Sequence, residues 1–189
     1  TMSSASAGSK PFIIAGMPMY NEEETIGTVV TMALRHVDVV ICIDDGSSDS
    51  SARIAEACGA IVHRHRANRG YGGALKSLFK KAKAMNADAL VVLDSDGQHE
   101  PSDIPKLLKP IIEGDVDFTI GSRFIDGGGG TDMPAYRRLG IKVITAASNL
   151  SSDLGIKDTQ SGFRAFSKNA LDRLRFDSEG MELSLEMLE

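Results

Sequence analysis

Four times before Pro101 the chain runs from a short apolar stretch into a polar cluster and on into a segment with helical spacing. The apolar stretches are Phe12 to Met17, Val37 to Ile43, Ala60 to His65 and Leu90 to Leu93. The polar clusters are Pro18 to Glu22, Asp44 to Asp49, Asn68 to Gly73 and Asp94 to His99. The continuous apolar run Leu90 to Leu93 reads as a buried parallel strand, as does Phe12 to Met17, and the more mixed Val37 to Ile43 and Ala60 to His65 read as the second and third strands. Strands alternating with helices therefore predict an α/β domain with a mostly parallel central sheet. Ligands bind such sheets beyond the carboxyl ends of the strands, so all four clusters should line one crevice.

Local signals set the expected boundaries. Pro18 should halt the first strand. Asn21 should N-cap a helix reaching about Arg35, with Glu22, Glu23 and Glu24 at its positive end. Further helices are expected over Ser50 to Cys58, Gly70 to about Met85 and Pro101 to Glu113, and a fifth strand over Asp117 to Ile120. The glycine run within Asp126 to Asp132 predicts a mobile loop. From Pro134 the spacing predicts a helix carrying Arg137, Arg138 and Lys142 among Leu139, Ile141, Val143 and Ile144. Its apolar stripe could face the core or a membrane surface. Asp158 to Phe166 reads as a loop entering a short strand.

The fourth polar cluster carries the clearest chemistry. Leu90 to Leu93 ends in Asp94-Ser95-Asp96-Gly97-Gln98-His99. On an extended backbone, residues i and i+2 share a face, so two carboxylates would point together, with the Gln98 amide two residues on. Oxygen donors of this kind suit a hard divalent cation that keeps waters and shares a substrate phosphate. Gly70-Tyr71-Gly72-Gly73 superficially suggests a dinucleotide fingerprint. The required spacing after the first strand is absent, which argues against a nicotinamide site.

Bulk properties restrict the partners. The 189 residues suit one domain, expected over 11–189 behind a disordered leader or cloning remnant over 1–10. Residues 180–189 read as a helix interrupted in mid-course, so the natural chain is expected to continue. A net charge of −5 gives no general attraction to nucleic acid. No apolar run approaches the about 20 residues of a membrane span. Cys42 and Cys58 lack metal-ligand spacing and read as buried thiols in a reducing compartment.

Taken in order, six motifs resemble those of the family 2 glycosyltransferases with a GT-A fold, a Rossmann-like nucleotide-diphospho-sugar transferase architecture. They resemble especially the branch of the dolichol-phosphate mannose synthases and related polyprenyl-phosphate sugar transferases. The motifs are Pro18 to Glu22, Asp44 to Asp49, Asn68 to Gly70, Asp94 to His99, Gly121 to Arg123 and Ser161 to Arg164. The resemblance implies a nucleotide pocket lined by Pro18, Tyr20 and Glu22. It implies that Asp45, with Asp44, accepts hydrogen bonds from base or ribose, and that Asn68 and Gly70 shape the floor. Asp45 could instead cap the following helix, a task also open to Ser47 or Asp49. Asp94, Asp96 and Gln98 would hold Mg²⁺ or Mn²⁺ against the donor diphosphate, with Asp94 also open to the ribose. Arg123 and Arg164 would supply positive charge to phosphates, although Arg164 could equally form a surface salt bridge.

The resemblance further implies an inverting hexose transfer from a GDP- or UDP-sugar to a dolichyl or polyprenyl phosphate, in the cytoplasm or peripherally at the cytoplasmic membrane face. A lipid phosphate is already ionised and needs no general base. A hydroxyl acceptor needs one, and His99, Asp158 and Glu182 are the candidates; His36, His63 and His65 read as structural. Two alternatives stay open: a family 2 transferase acting on a saccharide hydroxyl, and a nucleotide-sugar-binding module without turnover.

Overall fold

The computed structural model describes residues 10–122, 140–144 and 162–174. Along the chain these form β1 (Ile13–Met19), α1 (Ile26–Ala33), β2 (Val39–Asp44), α2 (Ser51–Ala57), β3 (Ile61–Arg64) and α3 (Gly70–Ala84). There follow β4 (Ala89–Val92), a 3₁₀ turn (Pro101–Asp103), α4 (Ile104–Ile112), β5 (Phe118–Ser122), β6 (Gly140–Ile144), β7 (Arg164–Ser167) and α5 (Lys168–Arg173). The strands make one sheet in the order β3-β2-β1-β4-β7-β5-β6. The first four run parallel; β7 is antiparallel to both β4 and β5, and β6 is antiparallel to β5.

The period-2 alternation of strand side chains divides the interior into two layers. Ile13, Ala15, Met17, Val40, Cys42 and Val91 face Ile26, Val29 and Val30 of α1, Ala55 of α2 and Leu107 and Leu108 of α4. Ile14, Ile41, Ile43, Leu90 and Phe166 face Leu75, Leu78, Phe79 and Ala82 of α3 and Leu171 of α5. The α3 positions recur at helical spacing, which makes α3 the amphipathic cover of that side. Phe166 packs edge-on against Phe79 with centroids 5.0 Å apart, joining β7 to α3. Cys42 is buried, and burial pushes its thiol up to about 12, so it stays protonated and inert.

Three expectations are corrected. Pro18 lies inside β1, paired with Ile43, rather than ending it. The Gly16 carbonyl accepts from Leu93 N and the Pro18 carbonyl from Ser95 Oγ, whereas the Met19 carbonyl accepts from Asp45 N. The missing N–H of Pro18 therefore falls on the β4 side, where the ladder has already ended at Val92. Asn21 does not cap α1. It takes φ +54°, and α1 begins only at Ile26 after a turn in which the Glu22 carbonyl accepts from Thr25 N and Ile26 N. The three glutamates thus precede the helix. Over 140–144 the expected helix is replaced by β6, because Ile141, Val143 and Ile144 are β-branched and β5 offers an open edge to pair with.

Two fold predictions follow from the first strand. A Cβ on Gly16 would lie 2.4 Å from both Leu78 methyl carbons, and Leu78 is fully buried. Gly16→Ala is therefore expected to cost about 1–3 kcal/mol by overpacking, and adding Leu78→Ala should cost less than the sum of the single changes in urea unfolding. Asp38 accepts from Ile13 N at 2.9 Å and pairs with Lys10 at 3.0 Å. The Ile13 hydrogen bond, then Lys10, hold its carboxyl below the ordinary value. A depressed carboxyl stabilises the fold above its unfolded pKa and loses that contribution as pH falls through the folded one. Asp38→Asn should thus unfold at lower urea than the parent at pH 7, the two midpoints converging as the medium is acidified below the ordinary carboxylate range.

Candidate active site

A cavity of about 230 Å³ opens at the carboxyl edge of the parallel strands. Pro18, Met19, Tyr20 and Glu22 line it from the end of β1, Tyr71 from the first turn of α3, and Asp94, Ser95 and Asp96 from the end of β4. Pro18, Tyr20, Glu22, Asp94 and Asp96, all candidates from sequence, meet here. Tyr71 was not among them; its signal was an aromatic residue directly after Gly70, which takes φ +74° at the start of α3.

The two aspartates converge for a reason other than the expected one. β4 ends at Val92, and the chain turns at Ser95 and Asp96, so the two aspartates flank the start of a turn rather than sharing a face of one strand. Between them Ser95 is buried and pinned: its Oγ donates to the Pro18 carbonyl at 2.9 Å, and its carbonyl accepts from Thr25 Oγ1 at 2.7 Å. With Ser95 drawn inward, its neighbours turn to the cavity. Gly97 then takes φ +75°, and Gln98 N donates to Asp96 Oδ1 at 2.9 Å. The Gln98 residue is exposed and is not among those that line the cavity.

Asp94 is enclosed by its surroundings. The Tyr71 hydroxyl donates to its Oδ1 at 3.4 Å, and His99 Nδ1 lies 3.9 Å from its Oδ2. A Cβ on Gly162 would lie 2.0–2.2 Å from the carboxylate atoms, so only glycine lets the chain entering β7 pass so close. Arg164 follows two residues later, opposite Val92, and only 6% exposed. Its burial excludes the surface salt bridge considered from sequence. Desolvation lowers its pKa, while Tyr71 and Asp94 oppose that shift. Desolvation likewise raises the Tyr71 phenol, with Asp94 adding to it.

The cavity has an excess of negative charge. Glu22 is half-buried, and its carboxyl is raised first by desolvation and further by Asp96, Asp49 and Asp94, against a lowering hydrogen bond from Thr25. Three carboxylates facing one space fit a divalent cation. Among the described residues no three His, Cys, Asp or Glu side chains converge closely enough to hold an ion alone. The donor set therefore suits an ion that takes further oxygens from a ligand, as Mg²⁺ and Mn²⁺ do.

The remaining motif carboxylates are occupied internally. Asp44 is fully buried; its Oδ1 accepts from Ser47 N at 2.8 Å and Arg64 Nε lies 3.1 Å from its Oδ2. Asp45 accepts from Arg69 N at 2.9 Å rather than capping α2. Asp49 instead accepts from Ser51 N, at 3.0 Å. Asn21 accepts from Ser48 N at 2.8 Å, and Glu22 N donates to Ser51 Oγ at 2.7 Å, so the loops after β1 and β2 brace each other. Asn68 Oδ1 accepts from Gly70 N at 2.9 Å, shaping the entry to α3. Neither Asn68 nor Gly70 lines the cavity. Arg123, Asp158, Glu182 and the glycine-rich loop lie outside the described residues. Among the described residues no helix is long and apolar enough to cross a membrane.

The model of the family described as glycosyl transferase family 2 matches residues 15–175. The UDP-N-acetylglucosamine–dolichyl-phosphate N-acetylglucosaminyltransferase of Methanococcus voltae is 35% identical over 82% of this chain and 69% of its own length. The dolichol-phosphate mannosyltransferase of Pyrococcus furiosus is 31% identical over 91% of this chain, which spans only 51% of that enzyme. Glucosyl-3-phosphoglycerate synthase from Mycobacterium tuberculosis, solved with Mn²⁺, UDP-glucose and phosphoglyceric acid, is similar with a TM-score of 0.68 at 28% identity. That match covers 94% of this chain and 64% of the synthase.

The approach of Gly162 to Asp94 supplies a test of the cation fit. Gly162→Ala should push the Asp94 carboxylate aside and weaken Mn²⁺ binding about tenfold or more, read from free Mn²⁺ by electron paramagnetic resonance. The far-ultraviolet circular dichroism should not change.

Proposed function

This chain belongs to glycosyl transferase family 2, and on that premise we propose that it moves a hexose from a nucleotide sugar to an acceptor phosphate, a dolichyl or polyprenyl phosphate. Its α/β fold is the GT-A arrangement of that family. The observation that carries the proposal is the pairing of Asp94 and Asp96 around the buried Ser95, with the buried cation of Arg164 next to Asp94. The carboxylates of the cavity suit a cation, and Arg164, buried beside Asp94 rather than lining the cavity, would bring positive charge toward the phosphates of donor and acceptor.

In this proposal Pro18, Tyr20 and Glu22 line the nucleotide pocket and Asp45 accepts from the base or ribose, with the fully buried Asp44, Asn68 and Gly70 shaping the frame behind them. Asp94 and Asp96 would hold Mg²⁺ or Mn²⁺, which when bound supplies charge stabilisation for the departing diphosphate; Gln98, which lies off the cavity, would serve through its N–H to Asp96. Arg164, and Arg123 from outside the described residues, orient phosphate oxygens; a guanidinium keeps its charge and matches them with planar donors. Attack by an acceptor oxygen on the anomeric carbon forms one C–O bond as the bond to the β-phosphate oxygen breaks, with inversion. An ionised phosphate needs no proton removed. The transfer would take place at the cytoplasmic face of the membrane, with the chain bound peripherally. The names of the archaeal relatives support the lipid-phosphate acceptor.

One observation favours a second reading. His99 is 7% exposed and lies 3.9 Å from Asp94, a histidine-carboxylate pair that sequence spacing did not suggest. Such a pair could take a proton from a hydroxyl acceptor, so a saccharide acceptor is the alternative.

Calorimetric titration with GDP and UDP, with and without Mn²⁺, tests the donor side. One nucleotide is expected to bind in a Mn²⁺-dependent manner and to lose that dependence in Asp96→Ala; binding of neither would overturn the proposal. Radiolabel transfer from the matching sugar nucleotide to polyprenyl phosphate, against a saccharide acceptor, then separates the two readings.

A further inference from the structure

Behind the cavity three side chains form a continuous hydrogen-bonded line. Asp45, 4% exposed at the end of β2, lies with Oδ1 2.6 Å from His65 Nδ1. His65, 5% exposed just beyond β3, lies with Nε2 2.8 Å from Ser77 Oγ in the middle of α3. The same Asp45 carboxylate accepts from Arg69 N at 2.9 Å and 3.1 Å, immediately before α3. The line thus leaves from one point of α3 and returns to another, strapping that helix to the ends of β2 and β3.

The hydrogen-bond chemistry assigns the protons. An ionised carboxylate only accepts, so Nδ1 of His65 carries the hydrogen; in the neutral ring Nε2 accepts from the Ser77 hydroxyl. The order Ser-His-Asp is that of a hydrolytic triad, but the arrangement does not support hydrolysis. Ser77 sits in mid-helix, where the neighbouring N–H groups are committed to the α3 ladder and none is left to hold an oxyanion. What the line does control is the Asp45 carboxylate. His65 and Arg69 N hold it in one orientation; Asp45 does not line the cavity, but its Oδ2, which accepts from Arg69 N at 3.1 Å, keeps a further acceptor site for a ligand.

We propose that His65 is a positioning residue for nucleotide binding: it holds Asp45 so that its remaining acceptor capacity meets the base or ribose of the donor. This rests on the proposed nucleotide-sugar site. The His63 ring stands edge-on to His65 with centroids 5.6 Å apart, and the His65 ring hydrogen-bonds Asp45 and Ser77, not Asp94 or Asp96. His65 should therefore govern nucleoside recognition and leave cation binding alone.

Two amides of similar polarity separate this role from general packing. In His65→Asn the amide nitrogen replaces Nδ1 and can still donate to Asp45. In His65→Gln it replaces Nε2, reaching Ser77 but not Asp45. Calorimetry on the whole chain, with GDP or UDP plus Mn²⁺ and with Mn²⁺ alone, is expected to give nucleotide affinity about tenfold weaker in His65→Gln. His65→Asn should bind nucleotide as the parent does, and Mn²⁺ alone should bind all three proteins equally. Equal nucleotide affinity in both variants, or a loss that extends to Mn²⁺ alone, overturns the positioning role. Failure of the unsubstituted chain to bind either nucleotide would instead overturn the donor site, and this proposal with it. Should His65→Gln not fold, Ser77→Ala carries the test. It should weaken nucleotide binding about threefold by loosening the ring, and an unchanged affinity overturns the proposal.

Discussion

The site depends on one buried hydroxyl. Ser95 donates to the Pro18 carbonyl and accepts at its own carbonyl from Thr25, which ties the end of β4 to β1 and to the turn before α1. A buried hydroxyl left without a partner costs free energy, so the turn has little freedom to move. Because Ser95 points inward, Asp94 and Asp96 point outward together. That pairing, more than strand geometry, brings two like charges to one cavity. Pro18 takes part for the same reason: its carbonyl is needed by Ser95, and its missing N–H falls where β4 no longer offers a partner.

The acidic residues gathered at this edge divide into two groups. Asp44, Asp45 and Asp49 accept hydrogen bonds from Ser47 N, Arg69 N and Ser51 N and so hold the loops after β2 and β3. Glu22, Asp94 and Asp96 open onto the cavity. The first group stiffens the frame in which the second is held. Desolvation first, and then the neighbouring Asp96, Asp49 and Asp94, raise the Glu22 carboxyl, so the second group concentrates negative charge at the cavity.

The opposite sign arrives from far along the chain. β7 inserts between β4 and β5, antiparallel to both, and brings Arg164 next to Asp94. Gly162 permits the approach because a side chain there would overlap the carboxylate. Placing a guanidinium where it is nine-tenths shielded from water is costly unless charges oppose that cost, and Asp94 and Tyr71 do so. The negative and positive halves of the site therefore stabilise one another before any ligand binds.

The alternation of apolar runs and helical segments was enough to determine the α/β class, the four parallel strands and the edge at which chemistry collects, because strand and helix periods are local properties. The order of the motifs likewise pointed to the family, and Pro18, Tyr20, Glu22, Asp94 and Asp96 were legible as one site. Other features were not. Whether Asp45 faces a ligand or His65, whether Arg164 is buried, and that His99 and Tyr71 adjoin Asp94 all depend on contacts between residues distant in sequence. Asn21 and Pro18 depart from their local tendencies for a related reason. Capping and strand-ending tendencies are worth about 1 kcal/mol or a few, and the hydrogen bonds offered by a neighbouring loop or strand outweigh them. Local pattern determines which elements form; only the packed sheet decides which polar groups find partners and which remain to meet a ligand.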